Sequence, residues 1–355
     1  MSIEGRFHVV RDGFTLDVEL QLPSRGVTAL FGRSGSGKTT VLRCIAGLER
    51  LAGVRLTVEG ECWQDETTFR PVHERPIGYV FQEASLFPHL TVARNLRYGE
   101  RRIPPAQRTV DFDEAVALLG LEGLLDRYPD QISGGQRQRV AIGRALLTSP
   151  RLLLMDEPLS ALDSATKAEI LPWLERLHAE LETPVIYVSH SIDEVARLAD
   201  HMVLLEAGRC LAQGPLSEVL TRPDLPLAHS DNAVAVLEVT LASHDSAHQL
   251  TELACAGHRL WVPGGDGPIG QRHRLRVHAR DVAVALQPPV DASVCNCLPV
   301  RIRAICDDPH PGHVLLQLDL DGQTLLARIT RRSAERLALT PGMAVHALIK
   351  GVGLG

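Results

Sequence analysis

The stretch Gly32-Arg33-Ser34-Gly35-Ser36-Gly37-Lys38-Thr39 constrains this chain more than any other, because it reads G-x-x-x-x-G-K-[ST] throughout. Before it, Val27-Thr28-Ala29-Leu30-Phe31 is a short apolar run of strand type. After it, Thr40-Val41-Leu42-Arg43-Cys44-Ile45-Ala46 has apolar spacing suited to a helix. A strand feeding a glycine loop that opens a helix is the arrangement a phosphate cradle requires. The glycines let backbone N–H groups turn toward the phosphates, and the helix N-terminus adds positive potential. Lys38 has the reach for β- and γ-phosphates, and Thr39 offers a hydroxyl to Mg2+.

The run Arg151-Leu152-Leu153-Leu154-Met155-Asp156-Glu157 is apolar and ends in two carboxylates. Such a run reads as a central parallel strand, buried on both faces, that delivers both acids at its C-terminal edge beside the phosphate loop. Asp156 would hold Mg2+, directly or through water. Glu157 is then placed to orient and deprotonate an attacking water.

Ile132-Ser133-Gly134-Gly135-Gln136 supplies a second anion site, because Ser133 and the N–H groups of Gly134 and Gly135 open a helix. With Arg137-Gln138-Arg139-Val140-Ala141 it resembles the LSGGQ signature of ABC-transporter ATPases, with Ile in the leading place. The other stations of that family follow in order: Gln82 after Tyr79-Val80-Phe81, Ser160-Ala161-Leu162-Asp163 after Glu157, and His190 after Tyr187-Val188-Ser189. The resemblance implies ATP and Mg2+ as cofactors. It implies Glu157, His190 and Gln82 in catalysis, His190 on the γ-phosphate, and Thr39, Gln82 and Asp156 around the metal. Residues Gly32 to Thr40, Ser133 to Gln136 and Asp163 would bind nucleotide. It also implies a homodimer packed head to tail, each ATP lying between one phosphate loop and the partner's signature. Phe7 and Phe14 are the only aromatics near the loop on its upstream side, and neither aligns with an adenine-stacking position.

At 355 residues the chain is long enough for two domains. No run approaches roughly 18 apolar residues, so no membrane helix is expected. Residues Met1 to Gly5 begin neither a signal peptide nor a basic arm. A net charge of −6 weighs against general nucleic-acid binding. Seven scattered cysteines suit a reducing compartment better than a disulfide framework. Cys295-x-Cys297 has the wrong spacing for a zinc knuckle and reads as a pair of strand cysteines.

These cues predict an α/β ATPase domain over residues 1–230, with a helical subdomain at about 83–150, and a small all-β, OB-like barrel over 231–355. Phe112 to Leu119 is the clearest amphipathic stretch, with Gly120 as its stop. Leu86, Phe87, Pro88 and Leu90 are apolar where exposure is expected, and in the resembled family this face receives a coupling helix from a membrane subunit. Pro223 to Asn232 reads as a linker. Beyond it come short strands such as 274–278, 282–286, 314–318 and 344–350, with Asp321-Gly322 as a hairpin turn.

Residues 291–353 resemble the Mop module, a small oxyanion-binding barrel of molybdenum-handling proteins. Ser293-Val294-Cys295-Asn296-Cys297-Leu298 lies over its S-A-R-N-x-L opening, and Ile349-Lys350 over its closing I-K. In the first domain, 95–99, 141–147 and 170–174 look like the ATPases of molybdate importers. Ser293, Asn296 and Lys350 form the candidate oxyanion set, thinned by Cys295 in the Arg slot and by Gly351 where Ser is common. The alternatives are an importer ATPase for sulfate, ferric iron or a sugar, and a soluble ABC protein acting on DNA or ribosomes. The importer reading, for molybdate and with it tungstate, implies integral-membrane permease subunits, indirectly a periplasmic molybdate-binding protein, and a peripheral place on the cytoplasmic face of the inner membrane.

Overall fold

The computed structural model describes residues 2–11, 13–180, 183–265, 267–350 and 352. Gly351, one of the two departures from the Mop pattern, lies outside them. The chain forms two compact units, residues 1–214 and 215–355.

The first unit opens with the antiparallel strands β1 (Ser2–Arg11) and β2 (Phe14–Pro23), followed by β3 (Val27–Phe31) and helix α1 (Lys38–Ala46). Then come β4 (Val54–Val58), β5 (Glu61–Gln64) and β6 (Ile77–Val80). Three helices follow: α2 (Val92–Glu100), α3 (Phe112–Leu118) and α4 (Gly134–Leu146). The chain re-enters the sheet through β7 (Leu152–Asp156), α5 (Ser164–Glu180), β8 (Val185–Ser189), α6 (Ile192–Leu198), β9 (His201–Glu206) and β10 (Arg209–Pro215).

These strands make one ten-stranded sheet in the order β5-β4-β1-β2-β10-β9-β3-β8-β7-β6. The pairs β9-β3, β3-β8, β8-β7 and β7-β6 are all parallel. Their register decides where the chemistry lies. Phe31 pairs with Ser189, Asp156 with Val188, and Val80 with Met155. The phosphate loop, Asp156-Glu157, His190 and the Gln82 segment therefore all leave the sheet at one carboxyl edge, where open α/β sheets bind ligands.

The region from 83 to 150 carries α2, α3 and α4, joined by turns and single 3-10 turns. Between Gln82 and Thr91 the backbone is irregular, and Asn95 explains why. Its fully buried amide accepts from the Phe87 N–H at 2.9 Å and donates to the Phe87, Leu90 and Thr91 carbonyls. Those groups are satisfied without a helix. Gly120, at φ 59, lies one residue beyond the Leu119 cap of α3.

The second unit contains α7 (Leu216–Thr221), β11 (Val234–Asp245), β12 (Leu250–Cys255), β13 (His258–Pro263) and β14 (Arg272–His278). It continues with β15 (Val282–Ala285), β16 (Asn296–Asp307), β17 (His313–Leu320), β18 (Gln323–Thr330), α8 (Arg331–Arg336) and β19 (Ala344–Ile349). Two antiparallel sheets, β13-β12-β11-β14 and β15-β19-β16-β17-β18, enclose one apolar core that includes Leu237, Leu253, Leu275, Leu318 and Ile349. Asp321 and Gly322 both take positive φ between β17 and β18, as a two-residue hairpin of this type requires. The division between units falls at 214/215, upstream of the 230/231 boundary read from the two prolines. Burial of Leu216, Val219 and Leu220 places α7 with β11 and β18, and Pro226 opens a 3-10 turn inside the second unit.

Candidate nucleotide site

The loop Gly32–Gly37 wraps the first turn of α1. Gly37 takes φ 101 as the helix N-cap, and a Cβ there would sit 2.6 Å from Leu16 Cδ1, so both conformation and space demand glycine. The Lys38 side chain is 4% exposed and donates to the carbonyls of Gly32 (2.8 Å) and Arg33 (3.0 Å). Burial lowers its pKa, an effect opposed by Glu157 and Asp156. Ser36 is buried, whereas Arg33, Ser34 and Gly35 are exposed around the mouth of the loop.

Thr39 Oγ1 donates to Asp156 Oδ1 at 3.0 Å, which brings a hydroxyl and a carboxylate together as a hard-cation donor pair. Tyr79 donates to the other oxygen, Asp156 Oδ2, at 3.1 Å. Burial raises the Asp156 pKa, and these two hydrogen bonds pull it back.

Glu157 follows with φ 45, a left-handed conformation that costs a non-glycine residue on the order of 1 kcal/mol. Its N–H is tied to the Val188 carbonyl at 3.1 Å, and its own carbonyl accepts from Ser160 Oγ at 2.8 Å. The strained turn swings the carboxylate back over the loop. Glu157 Oε1 lies 3.9 Å from Lys38 Nζ, and Oε2 lies 3.1 Å from His190 Nδ1. Two candidate catalytic residues therefore touch. Gln82 is exposed two residues beyond β6, at the same edge.

The strand end that carries His190 is held from behind by Glu194, which is 5% exposed. Its carboxylate accepts from Tyr187 OH (2.9 Å), Ser189 Oγ (2.8 Å) and Lys167 Nζ (2.9 Å). Lys167 lies one helical turn after Asp163, whose carboxylate caps α5 through the Thr166 N–H at 2.9 Å. That bond holds the Asp163 pKa below the usual range.

The signature residues form a capping box at the start of α4. Ser133 Oγ accepts from the Gln136 N–H at 3.2 Å, and Gln136 Oε1 accepts from the Ser133 N–H at 2.9 Å. Gly135 has a packing reason as well, since a Cβ there would meet Thr166 Cγ2 of α5 at 2.5 Å. At Gly134 a Cβ would lie 3.3 Å from Leu162 Cδ2, a milder crowding, and this glycine supplies the first N–H of the helix.

The aromatic question resolves in part. Phe7 is fully buried in the core, which removes it from the site. Phe14 is half-buried with its ring against Gly37, since Cζ would lie 3.2 Å from a Cβ at that glycine. Sequence reasoning missed Tyr79 and Glu194, because their partners lie on a neighbouring strand or on the preceding strand and helix.

In the second unit the proposed oxyanion residues divide. Asn296 pairs with Ile349, so Ser293, Cys295 and Lys350 lie toward one end of the β16-β19 ladder. Ser293 and Lys350 are exposed there. Asn296 is 3% exposed, and its amide serves both the N–H (2.7 Å) and the carbonyl (2.8 Å) of Trp261. It is a clasp between β13 and β16, with its oxygen and one of its N–H groups engaged by Trp261.

The ABC transporter family profile matches residues 15–160, and the TOBE domain profile matches residues 292–353. The chain is 59% identical over 355 residues to the molybdenum import ATP-binding protein ModC of Aromatoleum aromaticum, covering 99% of this chain and 94% of that protein. It is 55% identical to ModC 1 of Azotobacter vinelandii, with 99% and 98% covered. The chain belongs to the ModC family of molybdenum import ATP-binding proteins. The ModC protein of Bordetella parapertussis is also similar, at 57% identity over 357 residues. Among solved structures, the chain is similar to the dimeric ATP-binding cassette MJ0796 in a post-hydrolysis state bound to ADP and Pi. That match has TM-score 0.50 and 26% identity, covering 60% of this chain and 98% of that one. The protein cbiO1 of Clostridium perfringens, part of the transporter complex cbiONQ, matches with TM-score 0.53 and 26% identity, covering 61% and 89%.

Proposed function

We infer that this chain is the ATP-hydrolysing subunit that energises molybdate import, and that it works through a separate membrane permease. Membership of the ModC family carries the cargo assignment and selects it over sulfate, ferric iron, a sugar or a soluble non-transport role. The convergence of Lys38, Asp156, Glu157 and His190 on one sheet edge carries the chemistry.

The loop N–H groups and Lys38 hold the phosphates of ATP. Glu157 accepts the proton of the attacking water while His190 fixes its carboxylate and reaches the γ-phosphate. Gln82 orients the water from the adjacent loop. The Thr39 and Asp156 donor pair suits Mg2+, which when bound neutralises charge on the β- and γ-phosphates. Ser133, Gly134, Gly135 and Gln136 would close the site on the ATP of a second copy, with Asp163 at the same junction. Such a homodimer would work with integral-membrane permease subunits and, at one remove, a periplasmic molybdate-binding protein. No described helix is long and apolar enough to cross a membrane, which suits a peripheral subunit at the cytoplasmic face.

The half-buried Leu86, Phe87 and Leu90, with Tyr98 at 38% exposure, form the face proposed to receive the permease. The Phe87 and Tyr98 rings pack with centroids 4.2 Å apart and planes tilted by 42°, and Arg144 of α4 lies 5.2 Å over Phe87. A push on this face would thus reach the helix that begins with the signature. Cells carrying this chain with its permease should take up molybdate, and tungstate with it, in preference to sulfate, ferric iron and sugars. Equal uptake of sulfate would overturn the cargo assignment.

In this reading the barrel's oxyanion site draws on Ser293 and Lys350, with the Asn296 amide partly engaged by Trp261. A charge-assisted hydrogen bond is worth about 1.5–3 kcal/mol, so Cys295 in the Arg slot costs roughly 10- to 100-fold in affinity. Calorimetry with molybdate should find weak or no binding to this end of the barrel, and tighter binding in Cys295→Arg. If binding does occur, it slows import only by preferring a dimer with its ATP sites apart. Tight wild-type binding would show that Cys295 costs less than this, and no gain in the variant would show that residues 293–298 are not the anion site.

A further inference from the structure

Tyr79 lies on β6, one strand over from Asp156, and no motif of the nucleotide site gives it a task. Its phenol donates to Asp156 Oδ2 at 3.1 Å while Thr39 Oγ1 holds Oδ1 at 3.0 Å. The terminal torsion of a carboxylate is otherwise broad. Donors on opposite oxygens stop that rotation, because turning the group breaks one bond or the other. The same tyrosine has a second contact. Its ring packs on Phe81, with centroids 4.4 Å apart and planes tilted by 44°. Phe81 is 45% exposed and immediately precedes Gln82, so this ring contact lies at the start of that segment.

We propose that Tyr79 is a positioning residue for ATP hydrolysis: its hydroxyl fixes the Asp156 carboxylate for a divalent cation, and its ring ties that carboxylate to the segment carrying Gln82. The proposal rests on the reading of Asp156 as the cation-holding acid. Phenylalanine at this position would fill the same space and keep the ring contact, so the strand itself gives no reason for a hydroxyl. Among the described residues the hydroxyl has one hydrogen bond, and its partner is the acid on the cation. Groups that orient a metal-binding carboxylate are commonly worth about 10- to 100-fold in metal affinity, and one hydrogen bond lies at the lower end of that range.

The test uses the full chain with ADP and Mn2+, a paramagnetic divalent probe titrated by electron spin resonance. Tyr79→Phe should weaken Mn2+ binding about 10-fold while the melting temperature and metal-free ADP binding stay at wild-type values. Asp156→Asn should weaken it further, and adding Tyr79→Phe to that variant should cost nothing more. Unchanged or tighter Mn2+ binding in Tyr79→Phe, with Asp156→Asn weakened, would overturn the role of Tyr79 alone. A full additional loss in the double variant would show that Tyr79 acts through some other group. Unchanged binding in Asp156→Asn would sink the cation site and this proposal together. Saturating metal should restore hydrolysis in Tyr79→Phe but leave Tyr79→Leu several-fold slower, because only the latter loses the ring against Phe81. Equal rates in the two variants would remove the ring from the proposal.

Discussion

Glu157→Gln should bind ATP as well as the wild type and hydrolyse it slower by about 10²-fold or more. The amide keeps the shape and the oxygen that faces His190 at 3.1 Å, so the loop geometry survives. What it loses is the basicity needed to take a proton from water. It also removes a negative charge that would face the γ-phosphate. The ATP-bound dimer should therefore persist, visible as a doubled mass by size-exclusion chromatography in the presence of ATP. Phosphate release measures the rate. Near-normal turnover would remove Glu157 from the role of base, and the strained φ of 45 that aims it would then lack a purpose.

His190→Ala should abolish transport and reduce hydrolysis to a similar degree, with the fold intact. The side chain is 51% exposed, and its polar contact is to Glu157. Surface truncations of this kind usually change stability by less than about 0.5 kcal/mol. The loss is chemical: Glu157 becomes free to rotate, and the γ-phosphate loses a donor. The measurement is molybdate uptake alongside phosphate release and a melting curve. Wild-type uptake would contradict the assignment, and a collapsed melting temperature would mean that His190 is structural. Ser189 and Glu194 argue for a rigid backbone at this point whichever side chain occupies position 190.

The nucleotide site was legible in the sequence because its parts are local. Gly32 to Thr39 fixes a loop and a helix start together, and 151–157 is apolar enough to be a buried strand wherever it pairs. Parallel register then does the rest, since Phe31, Asp156 and Ser189 end level with one another. Groups whose meaning lies across strands were not legible. Tyr79 reads as one more β-prone aromatic until its hydroxyl is seen on Asp156. Glu194 reads as a surface helix residue, yet it is buried with three donors around it. Asn296 shows the converse. Its place in an S-A-R-N-x-L pattern suggests an anion ligand, whereas its amide spans 35 residues of sequence to clasp Trp261. The proline cue has a local meaning too, because Pro226 opens a 3-10 turn and the Pro223 carbonyl lies 2.7 Å from His229 Nε2.

The most direct test is ATP hydrolysis by this chain assembled with its permease in vesicles, with the binding protein and a single oxyanion supplied on the outer side. Molybdate should raise the rate severalfold over the unliganded binding protein, while sulfate at the same concentration should not. The increase should vanish with Glu157→Gln. A rate indifferent to molybdate, or raised equally by sulfate, would contradict the account.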